Sequence, residues 1–347
     1  MGLAVMVLTP HLKGMANARH PRPFALSAAF VVAAVVWAGT SFAGDVPRAW
    51  VEEWPNTDFS RTSVPYGDIQ SGGPPKDGIP AIDEPQFKPV AEESEIPPTE
   101  PVIAVALNGH SKIYPLRILT WHEIVNDRVG GVPVAVTYCP LCNAGIVFDA
   151  RLDGQTLTFG TTGKLRRSDL VMYDRQTESW WQQFSGDAIV GELTGKTLTM
   201  VPSRMEAFER AKARLPDALV LTAKSSFNRP YGTNPYVGYD TSVRPFLYAG
   251  DLPPDVEPMM RVVVVDGQAW TMALLKKRGR VEAGELVLSW TAGQNSALDT
   301  RSISKGRDVG NVTVQRRDGG VLKDQVHHVT FAFVFHAFHP EGALFKN

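Results

Sequence analysis

The sequence predicts a mainly β protein with a few short helices, an α+β chain in which two diverged β-rich repeats pack as one body with an extended N-terminal arm. Three observations carry this expectation. Short apolar runs are separated by Asn-Gly and Asp-Gly pairs, which accept the positive φ angles of tight hairpin turns. One order of hairpin, helix and strand occurs twice, first from Pro101 and again from Arg261. Residues 44–100 are rich in Pro and Gly and carry no periodicity.

Each element can be read in order. Lys13, Arg19 and Arg22 precede an apolar stretch, Phe24 to Trp37, and Ser41-Phe42-Ala43 fits a small-x-Ala cleavage pattern. Residues 1–43 are therefore expected to be a signal peptide, and the mature chain to be periplasmic or secreted. The apolar stretch is shorter than the roughly 20 residues that a spanning helix needs, so no stable membrane span is expected in the mature chain. Residues 44–100 read as an arm laid over the folded body, with a short helix near Pro47 to Glu53.

The first repeat is assigned to residues 101–225. Val102 to Leu107, Asn108-Gly109 and Ser111 to Tyr114 form a hairpin. Pro115 opens a helix over Leu116 to Val125, and a strand follows at Val132 to Tyr138. A second hairpin turns at Asp153-Gly154. Ser203 and Glu206 form a capping box that starts a helix over Met205 to Leu215. Residues 226–258 read as a long ordered loop. The second repeat, 259–347, has the same order: a hairpin at Asp266-Gly267, a helix over Leu274 to Lys277, a strand at Glu285 to Trp290 and a hairpin at Asp318-Gly319. The apolar run Val329 to Phe338 reads as one buried strand.

Composition excludes some functions. The chain of 347 residues has 35 basic and 36 acidic side chains and a net charge of -1, which removes the basic bias of a nucleic-acid binder. The clusters Lys164, Arg166, Arg167 and Lys276, Lys277, Arg278, Arg280 read as solvated faces. Composition identifies no partner. With only two cysteines, the chain is not a disulfide-rich scaffold.

Those two, Cys139 and Cys142, concentrate the chemistry. In Tyr138-Cys-Pro-Leu-Cys142 they stand at the first and last positions of a turn, with Pro140 where its fixed φ is favoured. Three readings are open. A reversible dithiol is one. A metal site is another: two thiolates suit copper(I), or zinc if further ligands join, and His122 is the candidate third ligand. The third is a short structural disulfide, which would add little stability because its loop is small. In the second repeat the cysteine positions fall on Thr291 and Gln294, so the turn does not need cysteine for its shape. That favours a chemical role: metal binding or thiol redox at Cys139 and Cys142, with help from His122. The competing reading is a non-catalytic envelope binding or scaffold protein. An enzyme with Cys139 as nucleophile would have only His122 as base.

Other motifs fail. His122-Glu-Ile-Val-Asn126 lacks the second His of the zinc-protease helix. No Gly-x-Ser-x-Gly occurs. His336 and His339 would face opposite sides of a strand, and His327-His328 reads as an exposed, solvated pair.

Five segments together resemble the bacterial family called domain of unknown function 3179. They are Gly72-Gly-Pro-Pro-Lys-Asp-Gly-Ile-Pro80, Tyr138-Cys-Pro-Leu-Cys-Asn-Ala-Gly-Ile-Val-Phe148, Leu170-Val-Met-Tyr-Asp-Arg-Gln-Thr-Glu-Ser179, Arg229-Pro-Tyr-Gly-Thr-Asn-Pro-Tyr236 and Phe338-His-Pro340. The resemblance runs from about residue 70 to the end. It implies no reaction, but it implies that the Cys-Pro-Leu-Cys turn is the family's signature.

Overall fold

A computed structural model describes residues 44–223 and 227–346. The expected signal peptide, 1–43, lies outside the described residues. Strands dominate, and the α-helices among the described residues are six or seven residues long. The strands form several small sheets in a propeller-like arrangement. No described helix is long and apolar enough to cross a membrane.

The first hairpin pairs Pro101–Leu107 with His110–Pro115. Asn108 and Gly109 turn it with φ of +49° and +78°, the two positive angles that a twist-matched turn requires. Leu116–His122 is helical, and it ends earlier than the sequence predicts. Glu123 takes φ +58°, and Ile124–Val129 leaves the helix to pair with Val132–Cys139. β-branched Ile124 and Val125 gain ladder bonds and full burial there, which outweighs one more helical turn. Ala144–Asp149 completes this meander.

Ser203–Ala207 is a strand, not the start of a helix. It pairs with Pro101–Leu107, and the Glu206 carboxylate holds Arg214 instead of capping a backbone N–H. The helix begins later, at Phe208–Arg214. Leu219–Thr222 then lies parallel to His110–Pro115. Likewise, the run expected as one strand at Val329 to Phe338 is a strand, His328–Phe331, followed by a helix, Ala332–Phe338.

These two corrections have one cause, because the segments are equivalent. His328–Phe331 pairs antiparallel with Arg261–Val265, which pairs with Gln268–Thr271, which lies parallel to Leu344–Phe345. This repeats the order and directions of the first sheet. A helix Met272–Arg278 and a meander Arg280–Ala283, Leu286–Thr291, Asn311–Asp318 follow, as in the first half.

Each meander docks on the other half's sheet. Ala144–Asp149 packs against His328–Phe331, and Asn311–Asp318 against Ser203–Ala207. The backbone N–H of Ala207 donates to Asn311 Oδ1 at 2.7 Å, and Asn143 Nδ2 donates to Val329 O at 3.4 Å. A further sheet orders Ile69–Ser71, Phe159–Arg166, Asp169–Asp174, Trp180–Gln182 and Ala188–Val190. The arm is laid on it: Trp50 and Trp54 pack on Trp180, with ring centroids 5.1 and 5.3 Å away.

The first basic cluster is not a solvated face. Lys164 and Arg166 are buried on Phe159–Arg166. Lys164 Nζ meets Glu53 at 2.7 Å, and Arg166 Nη1 meets Gln182 Oε1 at 3.3 Å. Sequence spacing could not show the arm residues that cover them. The second cluster, Lys276 to Arg280, is exposed as expected.

Candidate metal centre

The strand Val132–Cys139 ends at the first cysteine, and the chain turns at once into Ala144–Asp149. The turn is closed by Cys142 N–H donating to Cys139 O at 3.2 Å and Asn143 N–H donating to Pro140 O at 3.2 Å. Asn143 takes φ +51°, a conformation that Asn tolerates better than most residues. Both cysteines are free thiols and both are buried. Thr330, from the second half, donates its hydroxyl to Cys142 O at 2.7 Å.

A second hairpin brings the third group. Arg167 and Ser168 form its tip with φ of +55° and +65°, between Phe159–Arg166 and Asp169–Asp174. Neither is Gly or Asn, so the tip is strained by about 1–2 kcal/mol per residue. Arg167 is held by the Ala337 carbonyl, and Ser168 Oγ donates to Phe246 O at 2.5 Å. The tip delivers Ser168 O to 3.5 Å from Cys142 Sγ and 3.9 Å from Cys139 Sγ. It also delivers Asp169, whose carboxylate oxygen and the two sulfurs all lie within 4.8 Å of one another.

His122 does not belong to this group. The sequence expected it as third donor; the group that stands within reach of both sulfurs is the Asp169 carboxyl. The imidazole is buried, with Nδ1 at 2.7 Å from Pro80 O and Nε2 at 2.7 Å from the Tyr231 hydroxyl. It ties the 72–80 segment to the long loop. His327 and His328 are buried rather than exposed, and His336 lies in a helix rather than a strand.

Asp169 Oδ2 accepts from Gln182 Nε2 at 2.6 Å and from Phe184 N–H at 2.9 Å, the Cys142 and Cys139 thiols also interact with the carboxyl, and buried Oδ1 meets no N–H or O–H donor. Burial pushes the Asp169 carboxyl up to about 6. Glu123 is also buried, and burial together with the Asp169 charge pushes it up to about 8. Burial raises the Cys139 thiol and raises Cys142 further, where the Cys139 sulfur adds to it. Among the described residues neither carboxyl has an ion-pair partner. Four groups that carry charge only as anions thus share one buried place.

A cavity of about 550 Å3 opens beside them, and Cys139 and Glu123 both border it. Gly72, Pro74 and Ile79 form one wall. Gly72 N–H donates to Gly163 O at 2.8 Å and Asp77 N–H to Thr161 O at 2.9 Å, which lays this segment along Phe159–Arg166. A Cβ at Gly163 would stand 1.9 Å from Pro74 O, so the approach requires glycine there.

A family model described as protein of unknown function, DUF3179, matches residues 76–342, most of the chain. The chain belongs to the DUF3179 family. No curated protein and no solved structure is significantly similar to it. Four of the five segments by which it resembles DUF3179 converge in space, while Phe338 and His339 of the fifth border another cavity. Gly72, Pro74 and Ile79, Cys139 to Leu141, Leu170, and Pro235 and Tyr236 all border the cavity beside Cys139. Asp169, immediately before the Leu170 segment, and Glu123, immediately after His122, are the site residues that sequence reasoning missed. A lone carboxylate before an apolar strand is the only signal that Asp169 offers.

Proposed function

We propose that this DUF3179 chain binds one soft transition-metal ion, zinc or copper, through Cys139, Cys142 and Asp169. The observation that carries the reading is a set of buried, acid-forming donors without a counter-charge. Desolvated thiols and carboxyls stay protonated unless a cation joins them, and a metal ion reverses that balance. Around a tetrahedral zinc with bonds near 2.3 Å the sulfurs would stand roughly 3.8 Å apart, a separation compatible with a grouping that lies within 4.8 Å. Asp169 Oδ1, which no N–H or O–H donor reaches, supports the same reading, and Gln182 and Phe184 would orient that ligand from behind. A carboxylate oxygen beside two sulfurs suits zinc better than copper(I). Thiol redox is less well supported, because buried thiols of raised pKa are poor nucleophiles. Export to the periplasm or secretion, read from residues 1–43, remains part of the proposal.

Elemental analysis of the purified chain tests this. One equivalent of zinc or copper is expected, with loss of nearly all of it in Cys142→Ser and in Asp169→Ala. Uptake must displace thiol protons, so it should weaken steeply as pH falls. A metal-free chain that takes up neither ion at pH 8 after reduction would sink the proposal.

A further inference from the structure

The long loop is fastened at both ends of a short stretch. Asn234 donates its backbone N–H to Arg301 O at 2.8 Å and its Nδ2 to Thr300 O at 3.1 Å. Asp240 is buried between Arg261 and Arg307, each at 2.8 Å. Between them, the Tyr239 hydroxyl donates to Leu141 O at 3.0 Å. A stretch held this firmly would ordinarily turn its apolar side chains into the core. Val237 instead remains 58% exposed, and Phe246, further along the loop, 56%. Both border the cavity beside Cys139. Exposed apolar side chains that rim a void, on a backbone fixed in place, mark a preformed site rather than a mobile loop.

The character of the lining selects the ligand. Leu141, Leu165 and Leu170 supply the inner apolar wall, and the rings of Tyr236, Tyr239 and Phe246 face the same space. Lys164 is the one cation in the lining, and it is already paired with Glu53 at 2.7 Å. An anionic ligand would lose its hydration and meet no free counter-charge, because Glu123 is the other ionisable side chain of the lining besides Cys139 and the tyrosines. The Tyr236 hydroxyl has no partner among the described residues and offers one directional hydrogen bond. The volume, about 550 Å3, falls among small-molecule sites, which span roughly 300–1,000 Å3.

We infer that this cavity is a binding site for a small molecule with an aromatic body and no negative charge. The site goes beyond the metal reading and needs no bound ion. The probe is N-phenyl-1-naphthylamine, uncharged and aromatic, followed by its fluorescence in the full chain. The comparison is 8-anilino-1-naphthalenesulfonate, the same skeleton with a sulfonate. Saturable one-to-one binding of the uncharged probe is expected, about tenfold tighter than the anionic one. Val237→Asp and Phe246→Asp should each weaken it about tenfold or more. Both positions are exposed, so the fold should survive, and circular dichroism checks that it does. Val321→Asp, at an exposed valine on another element, should change nothing. No saturable binding, equal effects of all three variants, or equal affinity for the sulfonate would overturn the inference. Cys142→Ser separates the two claims: the uncharged probe should still bind it. A metal-loaded chain that ignores the probe overturns the cavity inference alone, whereas probe binding by a chain that takes up no metal overturns only the metal reading.

Discussion

Both ring nitrogens of His122 are engaged, one with the Pro80 carbonyl and one with the Tyr231 hydroxyl. The ring also packs on Phe227 at 4.7 Å. It therefore ties the 72–80 segment to the long loop, and burial lowers its pKa, which favours the neutral ring. His122→Ala should cost about 3 kcal/mol, from two lost buried hydrogen bonds and a void. Metal content should be unchanged. Urea midpoints and elemental analysis on the same preparation check both halves of this prediction; a folded His122→Ala chain without metal would restore His122 as a ligand. Local strain at this scale points the same way. Glu123, Asn143, Arg167 and Ser168 all hold positive φ, and all stand at or beside the cysteine pair. Such strain persists only where surrounding contacts over-determine it, and it clusters at functional sites. The cysteine turn was legible from sequence because its geometry is local. Asp169 was not, because a turn of Arg167 and Ser168 lacks the Gly or Asn that would announce a hairpin.

Among elements, the two halves are fastened crosswise by asparagine. Asn143 reaches the backbone of Val329, and Asn311 accepts from the backbone of Ala207 while donating to Ala292 O at 3.0 Å. Asn311→Ala would leave the buried Ala207 N–H without a partner. About 2 kcal/mol of stability should be lost, read as a lower urea midpoint at unchanged slope. A shift within error would mean that the crosswise contact contributes nothing. The hairpins with Asn-Gly and Asp-Gly were predictable because both partners of each ladder are adjacent in sequence. Ser203–Ala207 was not: its partner, Pro101–Leu107, is distant in the chain, and Ser203 with Glu206 satisfies the local pattern of a helix start. The same masking applies at His328–Phe331, whose apolar run continues unbroken into the following helix. Where pairing is long-range, local periodicity cannot mark the boundary between strand and helix.

For the molecule as a whole, crosswise docking makes separate folding of the halves unfavourable. Ile146, Val147 and Phe148 on Ala144–Asp149 are at most 2% exposed, and this strand packs on His328–Phe331 of the second half. Val312 and Val314, buried on Asn311–Asp318, belong to a strand that packs on Ser203–Ala207 of the first. Removing either half would expose apolar surface that the remaining half cannot cover, at about 25 cal/mol per Å2. It would also remove Thr330 from the cysteine turn. The chain should therefore unfold in one cooperative step. Tryptophan fluorescence, to which the packed Trp50, Trp54 and Trp180 contribute, should report the same midpoint as far-UV circular dichroism, which weighs both halves. A fragment of residues 44–223 should show neither a cooperative transition nor metal uptake. Two resolved transitions, or a fragment that melts cooperatively, would mean that the repeats are independent domains in contact and that the metal centre is the property of one of them.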